Sequence, residues 1–178
     1  MSAADSSDGL RRPTLVTLAV VAVTLLALAA RLVGLGDRPF HWDEARVGYW
    51  SLRFLDTGTF EYRPIAGGPF LYVVERSVLG VVGATDATAR GVVALVGGLS
   101  PLVALLFHRR TPTDTAPPRF GLTDAETVAM AGLLAVSPVL LYYGRFLRGD
   151  LPLAIFGLVV VGCAVRVLDA EDAAAARP

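Results

Sequence analysis

The feature that most constrains the fold is the stretch of 22 residues from 14 to 35, in which Arg31 is the only charge. As a helix, a stretch of that length spans about 33 Å, enough to cross a hydrocarbon core of roughly 30 Å. A cleaved signal peptide is the competing interpretation, because Arg11 and Arg12 precede the stretch. However, the stretch is long for a signal peptide, and no small-residue cleavage site follows Leu35. The sequence therefore predicts an uncleaved span, with Arg31 extending from its far end to the headgroups.

Three more apolar stretches follow, and they raise the predicted number of spans to four. They cover residues 88–107, 126–143 and 151–168. Hydrophobic residues make up 54% of the chain and charged residues 18%, against roughly 45–50% and about 25% in soluble domains. This composition and a net charge of zero disfavour a soluble enzyme, a nucleic-acid-binding protein and a disordered protein. The predicted fold class is an all-α integral membrane protein with four transmembrane helices.

The predicted membrane domain covers residues 14–168, between a disordered tail at 1–13 and a polar tail at 169–178. The single cysteine, Cys163, lies in an apolar stretch, so neither a disulfide framework nor a cysteine metal cluster is available.

The loop between the first two spans, residues 36–86, is charged, aromatic and rich in glycine and proline. Residues 44–56 predict an amphipathic helix that ends at Gly58. Its apolar face consists of Val47, Trp50, Phe54 and Leu55, and Arg46 and Arg53 lie on another face. A second apolar helix is predicted at 69–82. It contains Glu75 and Arg76, which are costly at the bilayer centre, so we expect it to lie at the membrane interface.

Arginines near the ends of the spans predict the orientation of the chain. One side carries Arg11, Arg12, Arg109, Arg110 and Arg119, and the positive-inside rule makes that side cytoplasmic. The prediction is a multi-pass protein of the plasma membrane with its N-terminus in the cytoplasm. The loop 36–86 and the short connection 144–150 then both lie outside.

The densest group of chemically competent side chains comes directly after the first span, and it contains His41, Asp43 and Glu44. Carboxylates at a membrane surface can act as a general base with a supporting partner, or can bind a hard cation. A simpler interpretation is that Asp43 only caps the helix that follows, and the two roles are compatible. His41 as a metal ligand is the weaker hypothesis, and an interfacial histidine beside Trp42 is common.

Two further groups contain arginines that could bind a phosphate. Arg63 lies among prolines and glycines, and a guanidinium held there could grip a phosphate through two hydrogen bonds. Arg145, Arg148 and Asp150 lie in the connection 144–150 between the last two spans. The simpler alternatives are a solvated arginine in a turn, and two headgroup arginines with Asp150 capping the last helix. The predicted topology places all three groups on the same side of the membrane.

These motifs resemble those of the GT-C membrane glycosyltransferases. The resemblance rests on a first span followed by His-Trp-Asp-Glu-Ala at 41–45, an amphipathic helix, and Tyr-Arg-Pro-Ile-Ala-Gly-Gly-Pro-Phe at 62–70. It extends to family 39, which is like the protein mannosyltransferases, and to the aminoarabinose transferases of lipid A. It is strongest for the archaeal proteins described as flippase-activity-associated in N-glycosylation. It covers the chain from Leu15 to about Leu168, which would be a partial GT-C fold.

The resemblance implies transfer of a sugar from a polyprenyl-phosphate lipid to a glycan or protein acceptor outside the cytoplasm. By this resemblance, Asp43 matches the catalytic base and Glu44 its neighbour, and Asp150 matches an acidic residue of the outer cavity. Arg63 matches a basic residue near the lipid phosphate. Arg145, Arg148 and His41 are the other substrate-binding candidates.

Neither a cofactor nor activity of this chain alone follows from the resemblance. Some relatives bind a divalent cation through an acidic residue at the position of Tyr62, beside Glu61, so such a cation stays an alternative. GT-C enzymes have more spans than four, so the chain resembles the N-terminal third of one. Two other functions stay open: a non-catalytic membrane protein that binds polyprenyl-linked glycans or assists their flipping or assembly, and a membrane protein without a ligand.

Overall fold

The computed structural model describes residues 15–61, 69–108 and 121–175, with side chains in the last range up to residue 171. Every regular element in these ranges is a helix. They are α1 (Leu15–Leu32), α2 (Trp42–Thr57), α3 (Pro69–Val82), α4 (Asp86–Leu99), α5 (Ala104–Phe107), α6 (Asp124–Val136), α7 (Pro138–Tyr143) and α8 (Asp150–Ala175). A 3-10 turn, Ser100–Val103, joins α4 to α5. The predicted tail 1–13 lies outside the described residues.

Three helical segments are long and apolar enough to cross a membrane: Leu15–Leu32, Asp86–Phe107 and Asp150–Glu171. They correspond to the first, second and last predicted spans. The helix of the last one continues to Ala175, beyond the predicted end of the span. The chain is therefore an all-α, multi-pass membrane protein.

The remaining predicted span, 126–143, is helical but is divided into α6 and α7 at Ser137 and Pro138. Proline has no N–H to donate and its ring crowds the carbonyl four residues earlier, so a continuous helix is interrupted there. The apolar pattern does not reveal this interruption, because Pro138 lies inside the apolar stretch.

Arg31 compensates for the interrupted helix, and the prediction that its side chain extends to the headgroups is wrong. The side chain is fully buried. Its Nη2 donates to the Leu134 carbonyl at 3.2 Å, and its Nη1 donates to the carbonyls of Ala135 at 3.2 Å and Ala27 at 3.1 Å. Because Pro138 cannot donate to Leu134, the guanidinium supplies the missing donor and ties α1 to α6.

Helix α1 packs against α4 and α6, and α3 packs between α2 and α4. The close approach of α1 to α4 requires glycine at position 98, since a Cβ there would lie 2.5 Å from Leu28 Cδ2. The main apolar core includes Val47, Leu71, Leu79, Val93, Leu147 and Ile155. The predicted apolar face of α2 is confirmed, because Trp50, Phe54 and Leu55 pack against this core.

The predicted end of α2 is also confirmed. Gly58 adopts a φ of 68°, and its N–H donates to the Phe54 carbonyl at 3.0 Å. A positive φ is unstrained only for glycine, so the turn into the following loop depends on this residue.

Candidate functional site

The end of α1 and the starts of α4 and α8 come together at one end of the helix bundle. Two hydrogen bonds show this: Arg90 Nη1 donates to the Leu35 carbonyl at 3.0 Å, and the Leu147 N–H donates to Glu44 Oε1 at 2.9 Å. The segment after α1 and the connection before α8 are therefore neighbours. The structure thus brings together the first and third groups of predicted residues.

The centre of this region is a fully buried ion pair between Glu44 and Arg90. Arg90 Nε lies 2.8 Å from Glu44 Oε1, and Nη2 lies 2.9 Å from Oε2. Glu44 also accepts from the backbone N–H groups of His41 and Leu147. Arg90 donates further to the carbonyls of Leu35, Arg38 and Pro39. A buried ion pair is stabilised when it is bidentate and when its remaining donors and acceptors also form hydrogen bonds, as they do here.

The environment of Glu44 keeps its carboxylate ionised. Burial alone would raise the pKa of Glu44, but the hydrogen bonds from Arg90, His41 and Leu147 and the charge of Arg90 outweigh it, and the pKa lies below its usual range. Both oxygens are occupied and closed to solvent. Glu44 therefore holds the site together, whereas it offers no free oxygen to a substrate.

Asp43, next in the chain to Glu44, has a different environment. Its side chain is 39% exposed, and Oδ2 lies 3.5 Å from Arg148 Nη1 and 3.9 Å from His41 Nδ1. The interpretation of Asp43 as the helix cap is wrong. His41 caps α2: its ring accepts from the Asp43 N–H, and Glu44 completes the capping box. The carboxylate of Asp43 is thus released from that task.

Arg148 joins Asp43 to Asp150, the other acidic candidate. Its Nε and Nη2 atoms both lie 2.8 Å from Asp150 Oδ2. Asp150 is the first residue of α8, and the Leu153 N–H donates to the Gly149 carbonyl, so Gly149 is the residue that precedes the helix. The carboxylate of Asp150 is 58% exposed and binds Arg148, contrary to the capping interpretation.

Arg145 and Arg38 fix the backbone beside this cluster. Arg145 donates to the carbonyl of Ala30 at 2.8 Å, in the last turn of α1, and to that of Gly34 at 2.9 Å, just after the helix. Arg38 donates to the Arg145 carbonyl at 3.0 Å, and its guanidinium lies 3.6 Å from the ring centre of Phe146. The two arginines line a groove of about 420 Å³ that also includes Asp37 and Tyr142. Arg145 thus has a capping role as well as a position on an open surface.

The structure leaves Arg63 unplaced, because residues 62–68 lie outside the described residues. In the described part of the chain no three His, Cys, Asp or Glu side chains come together. Tyr62, the position named for the divalent-cation alternative, lies outside the described residues. Between Asp43 and Asp150, the guanidinium of Arg148 occupies the position that a shared cation would take.

Sequence reasoning did not identify Arg90 and Arg38 as members of this region. One indication in the sequence points to a partner for Arg90: it is a charged residue inside an otherwise apolar span, and such charges usually pair with another group. Arg38 had no comparable signal. No protein-family model, curated protein or solved structure matches this chain.

A second buried acid lies apart from this cluster, on α3. Glu75 is fully buried, and neither of its carboxylate oxygens has a hydrogen-bond partner within the described part of the chain. Burial raises the pKa of Glu75 to about 8. At neutral pH this side chain is therefore mainly protonated and neutral.

Replacing Glu75 with Gln should remove a pH dependence of stability. Between about pH 4.5 and pH 8 the folded chain keeps a proton that the unfolded chain releases, so stability falls as the pH rises. We expect wild type to lose about 3 kcal/mol relative to Glu75→Gln between about pH 5 and pH 8. Unfolding in detergent at both pH values measures this difference. Glu171→Gln, at an exposed site on α8, should follow wild type, and parallel curves for all three proteins would contradict the prediction.

Proposed function

We propose that this chain forms the donor-binding and base-carrying part of a membrane glycosyltransferase, which moves a sugar from a polyprenyl phosphate to an extracytoplasmic acceptor. The observation that carries the proposal is the position of Asp43. Its carboxylate is partly exposed, takes no part in capping α2, and lies 3.5 Å from the guanidinium of Arg148. A base and a cation side by side at the end of the spans suit this reaction, because it removes a proton and releases a phosphate.

In the proposed reaction, Asp43 accepts the proton of the acceptor nucleophile as that atom forms a bond to C1 of the sugar. The bond between C1 and the phosphate oxygen breaks, and its electron pair leaves with the polyprenyl phosphate. Arg148 and Arg145 are proposed to stabilise the departing charge, since a guanidinium binds a phosphate well. Arg63 is proposed for the same task on the strength of the sequence motif.

The buried pair of Glu44 and Arg90 has a supporting task in this scheme. It joins the segment after α1 to α4 and to the connection before α8. Asp43 and Arg148 belong to these two joined segments. Their separation is therefore set by the buried pair, which is the kind of support that a catalytic group needs.

The proposal includes four spans, a partial GT-C fold, a plasma-membrane location and a cytoplasmic N-terminus. Helices α6 and α7 together support a fourth crossing. Just before α6, the Leu122 N–H donates to the carbonyl of Phe107, at the end of the second span. Just after α7, Arg145 donates to the carbonyl of Ala30, near the end of α1. In the proposed topology these two ends lie on opposite sides of the membrane. The resemblance of residues 41–45 and 62–70 to the GT-C enzymes supports the choice of a lipid-linked sugar over other phosphate donors.

The test uses sealed, right-side-out vesicles from the native host, with the gene intact, deleted or restored. Each preparation receives a panel of radiolabelled polyprenyl-phosphate sugars, and label is measured in protein and in lipid-linked glycan. We expect one sugar to be transferred only when the gene is present. Because the site faces outward in our proposal, added protease or glycosidase should release the label.

Unchanged transfer of every sugar after deletion would contradict the proposed activity. If deletion instead lowers the amount of lipid-linked glycan on the outer surface while transfer from the added donor persists, the non-catalytic alternative is favoured. Label that is protected from the added enzymes would contradict the orientation.

A further inference from the structure

Arg148 contacts its two carboxylate neighbours unequally. The contacts to Asp150 are short, 2.8 Å from both Nε and Nη2, whereas Nη1 lies 3.5 Å from Asp43. The contact to Asp43 exceeds the usual length of a charged hydrogen bond, about 2.7–2.9 Å. Asp150 therefore anchors the guanidinium, and the edge that faces Asp43 is held loosely.

This loosely held edge is accessible to a ligand. The side chains of Arg148 and Asp43 are 31% and 39% exposed. Ion pairs at such exposed positions contribute only about 0–1 kcal/mol. A phosphate can engage a guanidinium through two parallel hydrogen bonds, which is a stronger arrangement. An arriving phosphate therefore competes with Asp43 for Arg148 on favourable terms.

We propose that Arg148 couples binding of the phosphate group to the release of Asp43 as a base. The phosphate takes the Nη1 edge, and Asp43 loses its cationic neighbour while a negative charge arrives beside it. Both changes leave the carboxylate of Asp43 free of its ion pair and available to the acceptor. This inference rests on the proposed function, because it assigns Arg148 the positioning of the base for sugar transfer.

Arg148 is the main cationic neighbour of the Asp43 carboxylate among the described residues. Within the described ranges, the other titratable neighbour of Asp43 is His41, whose Nδ1 lies 3.9 Å from the same oxygen. The two other arginines nearby pair with Glu44 instead: Arg90 Nε lies 2.8 Å from Glu44 Oε1, and Arg38 Nη2 lies 3.8 Å from Oε2. Among the described residues, Arg148 is therefore the arginine that forms an ion pair with Asp43.

The coupling predicts that removing the carboxylate of Asp43 strengthens phosphate binding. The protein is purified at full length in a non-ionic detergent, and decyl phosphate is titrated by calorimetry. Asp43→Asn should bind about 2–5-fold more tightly than wild type, which corresponds to the free energy of one exposed ion pair. Asp56→Asn, an exposed site near the end of the same helix, should bind like wild type. Inorganic phosphate, titrated in parallel, shows whether the alkyl chain contributes.

The decisive comparison repeats Asp43→Asn in proteins that lack the guanidinium. In Arg148→Gln we expect weaker binding, and the further change of Asp43 to Asn should have no effect. Arg148→Ala also removes the cation and serves as the second background if the Gln variant does not fold. The proposal would be overturned if Asp43→Asn increased the affinity for decyl phosphate equally in wild type and in the protein without Arg148. It would also be overturned if Asp43→Asn gave no increase in wild type, or if wild type did not bind decyl phosphate. Because the assay needs no sugar transfer, its failure is distinct from failure of the proposed function.

Discussion

Glu44→Gln is expected to destabilise the folded chain by about 3–5 kcal/mol, the range typical of removing one partner from a buried ion pair. The amide keeps the shape of the side chain but removes its charge. The fully buried guanidinium of Arg90 then loses the carboxylate that binds both of its edges. The N–H groups of His41 and Leu147 also lose a charged acceptor. Unfolding in mixed micelles with increasing amounts of a denaturing detergent, followed by circular dichroism, measures the loss.

The matched control is Asp43→Asn, one residue away. Its carboxylate is partly exposed, so we expect a loss below about 1 kcal/mol. The double variant Glu44→Leu with Arg90→Leu should recover only part of the loss. It removes both charges, but the carbonyls of Leu35, Arg38 and Pro39 lose their donor. Equal destabilisation by Glu44→Gln and Asp43→Asn would show that Glu44 does not hold the site together.

The membrane-spanning helices were predictable because burial in lipid imposes a composition that the sequence displays directly. The stretches 14–35, 88–107 and 151–168 appear in the structure as long apolar helices. The sequence also predicted that the segment after α1 and the connection 144–150 lie on the same side of the membrane, because two predicted crossings separate them. The structure adds that these two segments are in contact.

The different environments of Asp43 and Glu44 were not predictable from their types or their adjacency. They depend on where α2 begins. Because His41 caps the helix, Asp43 is the second helical residue and remains partly exposed, and Glu44 is the third and is buried. Glu44 shares the buried face of α2 with Val47 and Ser51, whereas Asp43 lies outside that face. The position of a helix start is decided by cap geometry, which a sequence indicates only approximately.

The role of Arg31 was unpredictable for another reason. An arginine near the end of a span usually extends to the headgroups. Here the need for a donor arises at Pro138, in a different helix, and only the packing of α1 against α6 brings the two together. Arg90 also has a distant partner, since Glu44 lies 46 residues away in the chain. The pattern of apolar residues predicts which segments form buried helices. It does not predict polar contacts between helices, because these depend on how the helices pack.

Asp43→Asn is the variant with the largest expected effect on activity, a loss of about 10²–10⁴-fold in sugar transfer, as is typical when a positioned general base is removed. The fold should persist, because His41 and Glu44 provide the cap and the buried pair. Since Asp43 is not the cap, Asp43→Ala should lose activity to a similar extent. The agreement of the Asn and Ala variants separates loss of a base from loss of a helix cap.

The most direct test of the account is the initial rate of transfer from the labelled polyprenyl-phosphate sugar, per mole of folded protein, in membranes that contain Asp43→Asn. Asp56→Asn provides the matched control on the same helix. We expect a rate at least about 100-fold below wild type for Asp43→Asn and a wild-type rate for Asp56→Asn, with both proteins folded. Undiminished transfer by folded Asp43→Asn would contradict the assignment of Asp43 as the base.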